Sequence, residues 1–248
     1  MLTQSQIDTY WEKGWLVVDG VFSREAIVAV RDRADTVAQE LIDGTPHRAD
    51  RDEAGNMAPR KIDAPFKRDP LFREFVLDAT LKGLLTQLLV EEPLLATDQI
   101  FMKPPRFGSA KPYHQDNYYF RCTPRDKVLT AWIALDDVDE ANGCLRYIDV
   151  SHREGILPHT PVPGEPHNLA IAPEKVDLAR ESLAIVKLGG VVFHHSETMH
   201  TSHRNTSDRW RRAYASHWVT RDVTSTSGVI GNAHYHQYAP VADTPISP

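Results

Sequence analysis

A mainly β fold with flanking helices is the class this sequence predicts, on three observations. Helical patterning dominates before Pro93, strand-like segments dominate after it, and turn signals separate those segments. Helices first and strands afterwards argue for an antiparallel β core with helices packed outside it. A double-sheet jelly roll would close such a set of strands and leave few free edges. We read residues 1–248 as one domain, with a mainly helical part over 1–92 and a β core over 93–240 that carries an insertion at 155–180.

Each element has its own signal. Thr3 can cap a short helix ending near Lys13 and Gly14, and the apolar run Trp15, Leu16, Val17, Val18 follows as a strand. Ser23 can cap a long helix reaching Leu41, with Ala26, Val28, Val30, Ala34 and Val37 among its non-polar positions. Residues 44–60 are polar without a period and read as a loop. Asp69 and Pro70 open the next helix, because Asp accepts orphan N–H bonds and Pro suits the first helical position. Helical pattern then runs to Val90, recapped at Asp78. Strands are expected at 94–103, 113–120, 128–136, 144–149, 183–188, 191–195 and 211–220, with turns at Pro104-Pro105, Asn142-Gly143 and Gly189-Gly190. The insertion at 155–180 carries several prolines and reads as a long loop, a length often used for lids.

Composition narrows the functional classes. The net charge is −6, which argues against sequence-independent nucleic-acid binding. No apolar run approaches a membrane span and the N-terminus lacks a signal-peptide profile, so no membrane partner is expected. The two cysteines, Cys122 and Cys144, form no zinc pattern and fit a cytoplasmic location.

The sharpest local signal is Tyr113-His114-Gln115-Asp116. Residues i and i+2 of a strand share a face, so His114 and Asp116 can reach one metal ion together. His152 and Glu154 form a second pair of this spacing, but they lie in a polar segment where a loop role fits better. A facial triad of two histidines and a carboxylate needs a further histidine, and 190–203 offers His194, His195, His200 and His203. A dicarboxylate co-substrate needs a cation for its far end, and Arg211 or Arg212 opens the strand that follows. Pairing that strand with the one at His200 would bring an arginine beside the metal. The two arginines face opposite ways, so only one can point inward.

Taken together, the chain resembles the phytanoyl-CoA dioxygenase family of iron- and 2-oxoglutarate-dependent oxygenases. The resemblance is carried by Arg60-Lys61-Ile62, by the run from Gln99 to Pro105, by the run from Tyr113 to Phe120, and by Thr130-Ala131-Trp132. It continues through Asn142-Gly143-Cys144-Leu145, Ser151-His152-Arg153, Met199-His200-Thr201-Ser202, Asn205 and Arg211-Arg212-Ala213. It implies His114, Asp116 and His200 as Fe(II) ligands, and Arg211 and Ser202 at the distal carboxylate of 2-oxoglutarate. It further implies Trp132, Gln99 and Lys61 in the co-substrate pocket, and a structural role for His152. Asp149-Val150 and Gly189-Gly190 depart from the family's usual Pro-Gly and Gly-Asp, at positions away from metal and co-substrate. The implied fold is a double-stranded β-helix, a cupin-like jelly roll, with N-terminal helices packed on one sheet. The implied activity is oxidation of a small-molecule substrate by O2, releasing succinate and CO2. Related halogenases carry a small residue at the carboxylate position, so Asp116 implies hydroxylation or a similar oxidation. A biosynthetic intermediate is the preferred substrate class. The alternatives are an acyl-CoA 2-hydroxylase, with Arg121, Arg125 and Lys127 toward the CoA phosphates, or a non-catalytic binding protein on the same fold.

Overall fold

The structure, a computed structural model, describes residues 1–44, 49–51, 54–55, 57–163 and 165–227. The end of the β core expected to reach residue 240 therefore lies outside the described residues. The chain opens with helix α1 (Gln4–Lys13), strand β1 (Trp15–Val18) and helix α2 (Arg24–Gly44). Thr3 caps α1 in a full capping box with Gln6, and Gly14 ends it at φ 89, a left-handed conformation that suits glycine. The Ser23 hydroxyl accepts the Ala26 N–H, and α2 continues three residues beyond the expected end at Leu41.

Strands β2 (Ala49–Arg51) and β3 (Met57–Pro59) then pair as a short hairpin. They correct the expectation of a loop over 44–60; strands this short leave no readable alternation in a polar segment. Next come β4 (Lys61–Asp63), α3 (Pro65–Arg68), α4 (Pro70–Val76) and α5 (Ala79–Leu89). Asp69 and Asp78 cap α4 and α5 as expected.

The β core follows with β5 (Leu94–Lys103), β6 (Lys111–His114), the short helix α6 (Asp116–Phe120), β7 (Cys122–Thr123), β8 (Val128–Ala134) and β9 (Leu145–Ile148). The insertion holds a hairpin of β10 (His159–Val162) and β11 (Glu165–Ile171), so it is not a featureless loop. The described residues end with β12 (Glu181–Ala184), β13 (Val191–His195), β14 (His200–Ser202), β15 (Arg211–Val219) and β16 (Thr224–Ser225). The strand expected at 183–188 is shorter and earlier; beyond it only Val186 bridges to Val138.

Two antiparallel sheets face each other. One has six strands in the order β1-β13-β8-β15-β5-β4, and the other has four in the order β12-β9-β14-β6. Such a pair of sheets is the predicted jelly roll. The helices cover one side of the six-stranded sheet only. Ile27, Val30 and Ala34 of α2, Phe72 and Phe75 of α4 and the leucines of α5 join Ile100, Leu129, Ile133, Phe193, Tyr214 and Trp218 in one buried cluster. At about 25 cal/mol per Å² of apolar surface, this face supplies the larger share of the core. A bulge opposite His217 and Trp218 lets β5 follow both faces of β15: Thr97 pairs with His217, while Leu95 pairs with Trp218. The opposite face of the sheet looks into the sandwich, where Trp132, Ala213 and Ala215 meet Leu145 and Tyr147 across the gap.

Candidate active site

The expected strand over 113–120 is a strand only to His114; Asp116 already opens α6. The change of structure has a tertiary cause. The Gln115 N–H donates to His159 Nε2 at 3.0 Å, and its side-chain amide donates to Gly155 O and Glu197 O at 2.8 and 2.7 Å. Its Oε1 accepts the Leu157 N–H, and the Asn117 N–H donates to Ser196 O, both at 2.8 Å. These partners replace those a continuing strand would need. Gln115 itself remains extended at φ −124 and ψ 131, so His114 and Asp116 still project to the same side. His200 begins β14 and lies directly opposite His114 in register.

His114, Asp116 and His200 are thereby brought together, each offering one ligand atom, with these atoms all within 4.8 Å of one another. Asp116 Oδ1 lies 3.8 Å from His114 Nε2 and 3.7 Å from His200 Nε2. The Nδ1 atoms of His114 and His200 each sit 2.9 Å from a backbone carbonyl, of Pro112 and Thr198 respectively. Carbonyls only accept, so each Nδ1 carries the proton and each Nε2 presents its lone pair inward. Burial pushes His114 well below its usual range and His200 down to about 4, which keeps both rings neutral. Burial raises Asp116, but the neighbouring imidazoles and the His194 hydrogen bond outweigh it and hold the carboxyl well below the usual range. Two lone pairs and a carboxylate oxygen thus converge without a proton between them, a donor set that a divalent cation fits.

The other carboxylate oxygen is held from behind. Asp116 Oδ2 accepts from Thr130 Oγ1 at 2.8 Å and from His194 Nε2 at 3.0 Å. Tyr147 O–H supplies His194 Nδ1 at 2.8 Å, and His217 Nδ1 supplies Thr130 Oγ1 at 2.8 Å. His194, Thr130, Tyr147 and His217 were not among the expected site residues beyond His194's place as a possible ligand. Their strand positions gave facing but no partner.

A cavity of about 370 Å³ adjoins the three groups and is lined by Lys61, Gln99, Trp132, Ser202 and Arg211, the five residues expected around the co-substrate. Arg211 lies 5.5 Å from the Trp132 ring, and its Nε is buried without an acceptor. Burial lowers its guanidinium to about 10, so it stays charged at neutral pH. Arg212 faces the other way, onto Asp136 and Asp35 at 2.6–2.9 Å. The strands at His200 and Arg211 do not pair, against expectation: β14 bonds to β6 and β9, while β15 bonds to β5 and β8. Arg211 enters the cavity from the opposite sheet, a relation no local pattern contains.

The remaining candidates lie elsewhere. His195 is 3.3 Å from Asp126 and beside His152, with ring centroids 5.3 Å apart. His152 sits in a 3-10 turn with its Nε2 3.2 Å from Trp11 O, and Glu154 pairs with Arg180. Arg125 and Lys127 are tied to Glu197 and Glu91, and neither they nor Arg121 line this cavity. Among the described residues no helix is long and apolar enough to cross a membrane.

Known proteins match both sequence and architecture. The family model for phytanoyl-CoA dioxygenase (PhyH) matches residues 10–213. A phytanoyl-CoA dioxygenase domain-containing protein 1 from Bos taurus is 28% identical, over 87% of this chain and 89% of its own. Among solved structures, EvdO2 from Micromonospora carbonacea var. aurantiaca complexed with 2-oxoglutarate superposes with a TM-score of 0.72 at 22% identity, over 91% of this chain and 94% of its own. The non-heme alpha ketoglutarate dependent carbocyclase SnoK from nogalamycin biosynthesis gives 0.71 at 24% identity, over 99% and 95%.

Proposed function

The chain belongs to the phytanoyl-CoA dioxygenase family of iron- and 2-oxoglutarate-dependent oxygenases, and on that premise we propose that it oxidises a small-molecule metabolite, most simply by hydroxylation, at the His114, Asp116 and His200 centre. The observation that carries this reading is the convergence of two neutral Nε2 lone pairs and one carboxylate oxygen beside a cavity with a buried, unpaired arginine. When bound, Fe(II) with 2-oxoglutarate and O2 supplies oxidative decarboxylation to succinate and CO2 coupled to oxidation of the substrate.

The protein's part is binding, orientation and exclusion of water. Pro112 O and Thr198 O keep the protons of His114 and His200 on Nδ1, so both Nε2 atoms remain ligands. Thr130 and His194 hold Asp116 Oδ2, which turns Oδ1 toward the metal. Arg211 and Ser202 receive the distal carboxylate of 2-oxoglutarate, Trp132 flanks its carbon chain, and Gln99 and Lys61 complete the pocket. The protein is assayed by succinate release with Fe(II) and 2-oxoglutarate across a metabolite panel. Stimulated release by a small metabolite is the expected result; no turnover under any condition would favour a non-catalytic binding role.

A further inference from the structure

Four imidazoles line the cavity, and all but one of their ring nitrogens are committed. His114 and His200 offer Nε2 to the metal and keep their Nδ1 protons on Pro112 O and Thr198 O. His194 accepts the Tyr147 hydroxyl on Nδ1 and donates from Nε2 to Asp116. His217 reaches Thr130 Oγ1 through Nδ1 at 2.8 Å, while its Nε2 has no partner among the described residues. The ring is only 5% exposed, so this nitrogen does not lie in bulk solvent. Nor is it sealed inside the protein: the ring lines the cavity and Nε2 keeps contact with its open space.

The proton on this ring is placed by its neighbours. Asp116 Oδ2 is a carboxylate oxygen and only accepts, so the single Thr130 hydroxyl proton points to it. Thr130 Oγ1 can then only accept from His217 Nδ1, which therefore carries the ring proton. A second positive charge buried beside the metal is disfavoured, so the ring is neutral and Nε2 presents a bare lone pair. His217 Nδ1 lies 3.7 Å from Asp116 Oδ2, which sets the ring against the metal site. Arg211 and His217 share the inward face of β15 but stand six residues apart, about 20 Å along the strand at ~3.4 Å per residue. The co-substrate ends at Arg211, so His217 belongs to the substrate's part of the cavity. Phe120 meets the His217 ring edge-on with centroids 4.7 Å apart, and Tyr119 meets His114 at 6.1 Å. An apolar body fits such a wall, and a buried lone pair left without a donor is costly.

We propose that His217 Nε2 is the anchoring acceptor for the substrate, and that the substrate is a compact, mainly apolar molecule whose O–H or N–H donates to it beside the metal. The bond sets position and orientation and moves no proton. The proposal rests on the function proposed above, because it gives the Arg211 end to 2-oxoglutarate. Compactness follows from the space, since about 370 Å³ must hold co-substrate and substrate together.

Two measurements on the full chain test it. The first is calorimetry with Fe(II) and saturating 2-oxoglutarate under argon. Cyclohexanol, phenol and indole are the donor probes; fluorocyclohexane, fluorobenzene and benzofuran are partners of similar size without a donor. At least one donor probe should bind roughly tenfold or more tightly than its partner, the scale of an unpaired buried acceptor. The cyclohexanol and phenol pairs report on O–H, the indole pair on N–H. His217→Asn can still donate to Thr130 but reaches no further, so it should erase the preference. His217→Gln carries an amide oxygen near the Nε2 position and should restore part of it. The second measurement is nitrogen NMR of the metal-free protein with isotope-labelled histidines, where the His217 signals are those lost in both variants. At neutral pH they should show Nδ1 protonated and Nε2 bare. No binding of any donor probe, equal binding within every pair, a preference that survives His217→Asn, or a ring proton on Nε2 would each overturn the proposal. Failure of the wild-type protein to bind 2-oxoglutarate with Fe(II) would instead overturn the underlying function.

Discussion

The two faces of the six-stranded sheet come from the same strands yet do opposite work. Ile100, Leu129, Ala131, Ile133, Phe193, Tyr214 and Trp218 point outward and are sealed beneath the helices. Their strand neighbours Gln99, Thr130, Trp132, His194, Arg211 and His217 point inward and line the cavity. The outward face gains stability by excluding water from apolar surface, and any side chain of similar shape would serve. The inward face buries imidazoles and a guanidinium and meets the Asp116 carboxylate of α6, which is costly unless each finds a partner or a ligand. Period-two alternation lets one backbone ladder support both tasks.

The largest expected effect strikes the carboxylate that the inward face holds through Thr130 and His194. Asp116→Ala removes the one carboxylate ligand and should reduce 2-oxoglutarate-dependent succinate release to the no-enzyme background, with circular dichroism confirming that the variant folds. Retention of full activity, or a chlorinated product from the unaltered protein, would remove Asp116 from the metal site. The outward face should show the converse. Leu129→Ala, one residue from Thr130, should cost about 2–5 kcal/mol in urea unfolding while leaving 2-oxoglutarate affinity within about twofold. A large loss of affinity with little loss of stability would mean that the two faces are not separable.

The same contrast explains what was legible in the sequence. The helices that cover the outer face announce themselves through Thr3, Ser23, Asp69 and Asp78, because a cap is a local bond between neighbours. The long strand Leu94–Lys103 was likewise readable, bounded by prolines on both sides. The turn from strand to helix at Gln115 was not, because its causes are Gly155, Glu197, Leu157 and His159, which lie far along the chain. Within the candidate site, the spacing of His114 and Asp116 was visible and survives the missing strand. The residues behind Asp116 were invisible for the same reason as strand pairing: Tyr147, His194 and Thr130 meet it only through register.

Arg211 and Arg212 put the comparison on two adjacent residues. Arg211→Ala should weaken 2-oxoglutarate binding roughly 10- to 150-fold, the equivalent of about 1.5–3 kcal/mol for a hydrogen bond to a charged group. Arg212→Ala should instead lower the melting temperature, since it removes the pair with Asp35 of α2 and leaves Asp136 only the longer ion pair with Arg31 at 3.7 Å. Calorimetry and thermal melts on both variants decide the matter, and equal effects on co-substrate binding would contradict the assignment.

The smallest expected effect probes how far the inward network extends. Tyr147 is fully buried, stacked on Trp15 with ring centroids 4.9 Å apart, and its hydroxyl serves His194 Nδ1. That bond fixes the His194 proton on Nε2, where it is needed to hold Asp116 Oδ2. Tyr147→Phe keeps the ring and its packing but removes the hydroxyl, so the His194 proton is free to move to Nδ1. Asp116 Oδ2 then loses one of its two donors and Oδ1 is less firmly aimed at the metal. Groups that orient metal ligands are typically worth 10- to 100-fold in affinity, and Tyr147 acts one residue further back, so about a tenfold weaker Fe(II) affinity is expected. Melting of the metal-free protein should change little by comparison. His194→Gln retains an amide donor toward Asp116 without depending on Tyr147, so adding Tyr147→Phe to it should weaken metal binding no further. If the two substitutions instead add in full, the Tyr147 hydroxyl acts by a route other than His194 and the network ends at His194.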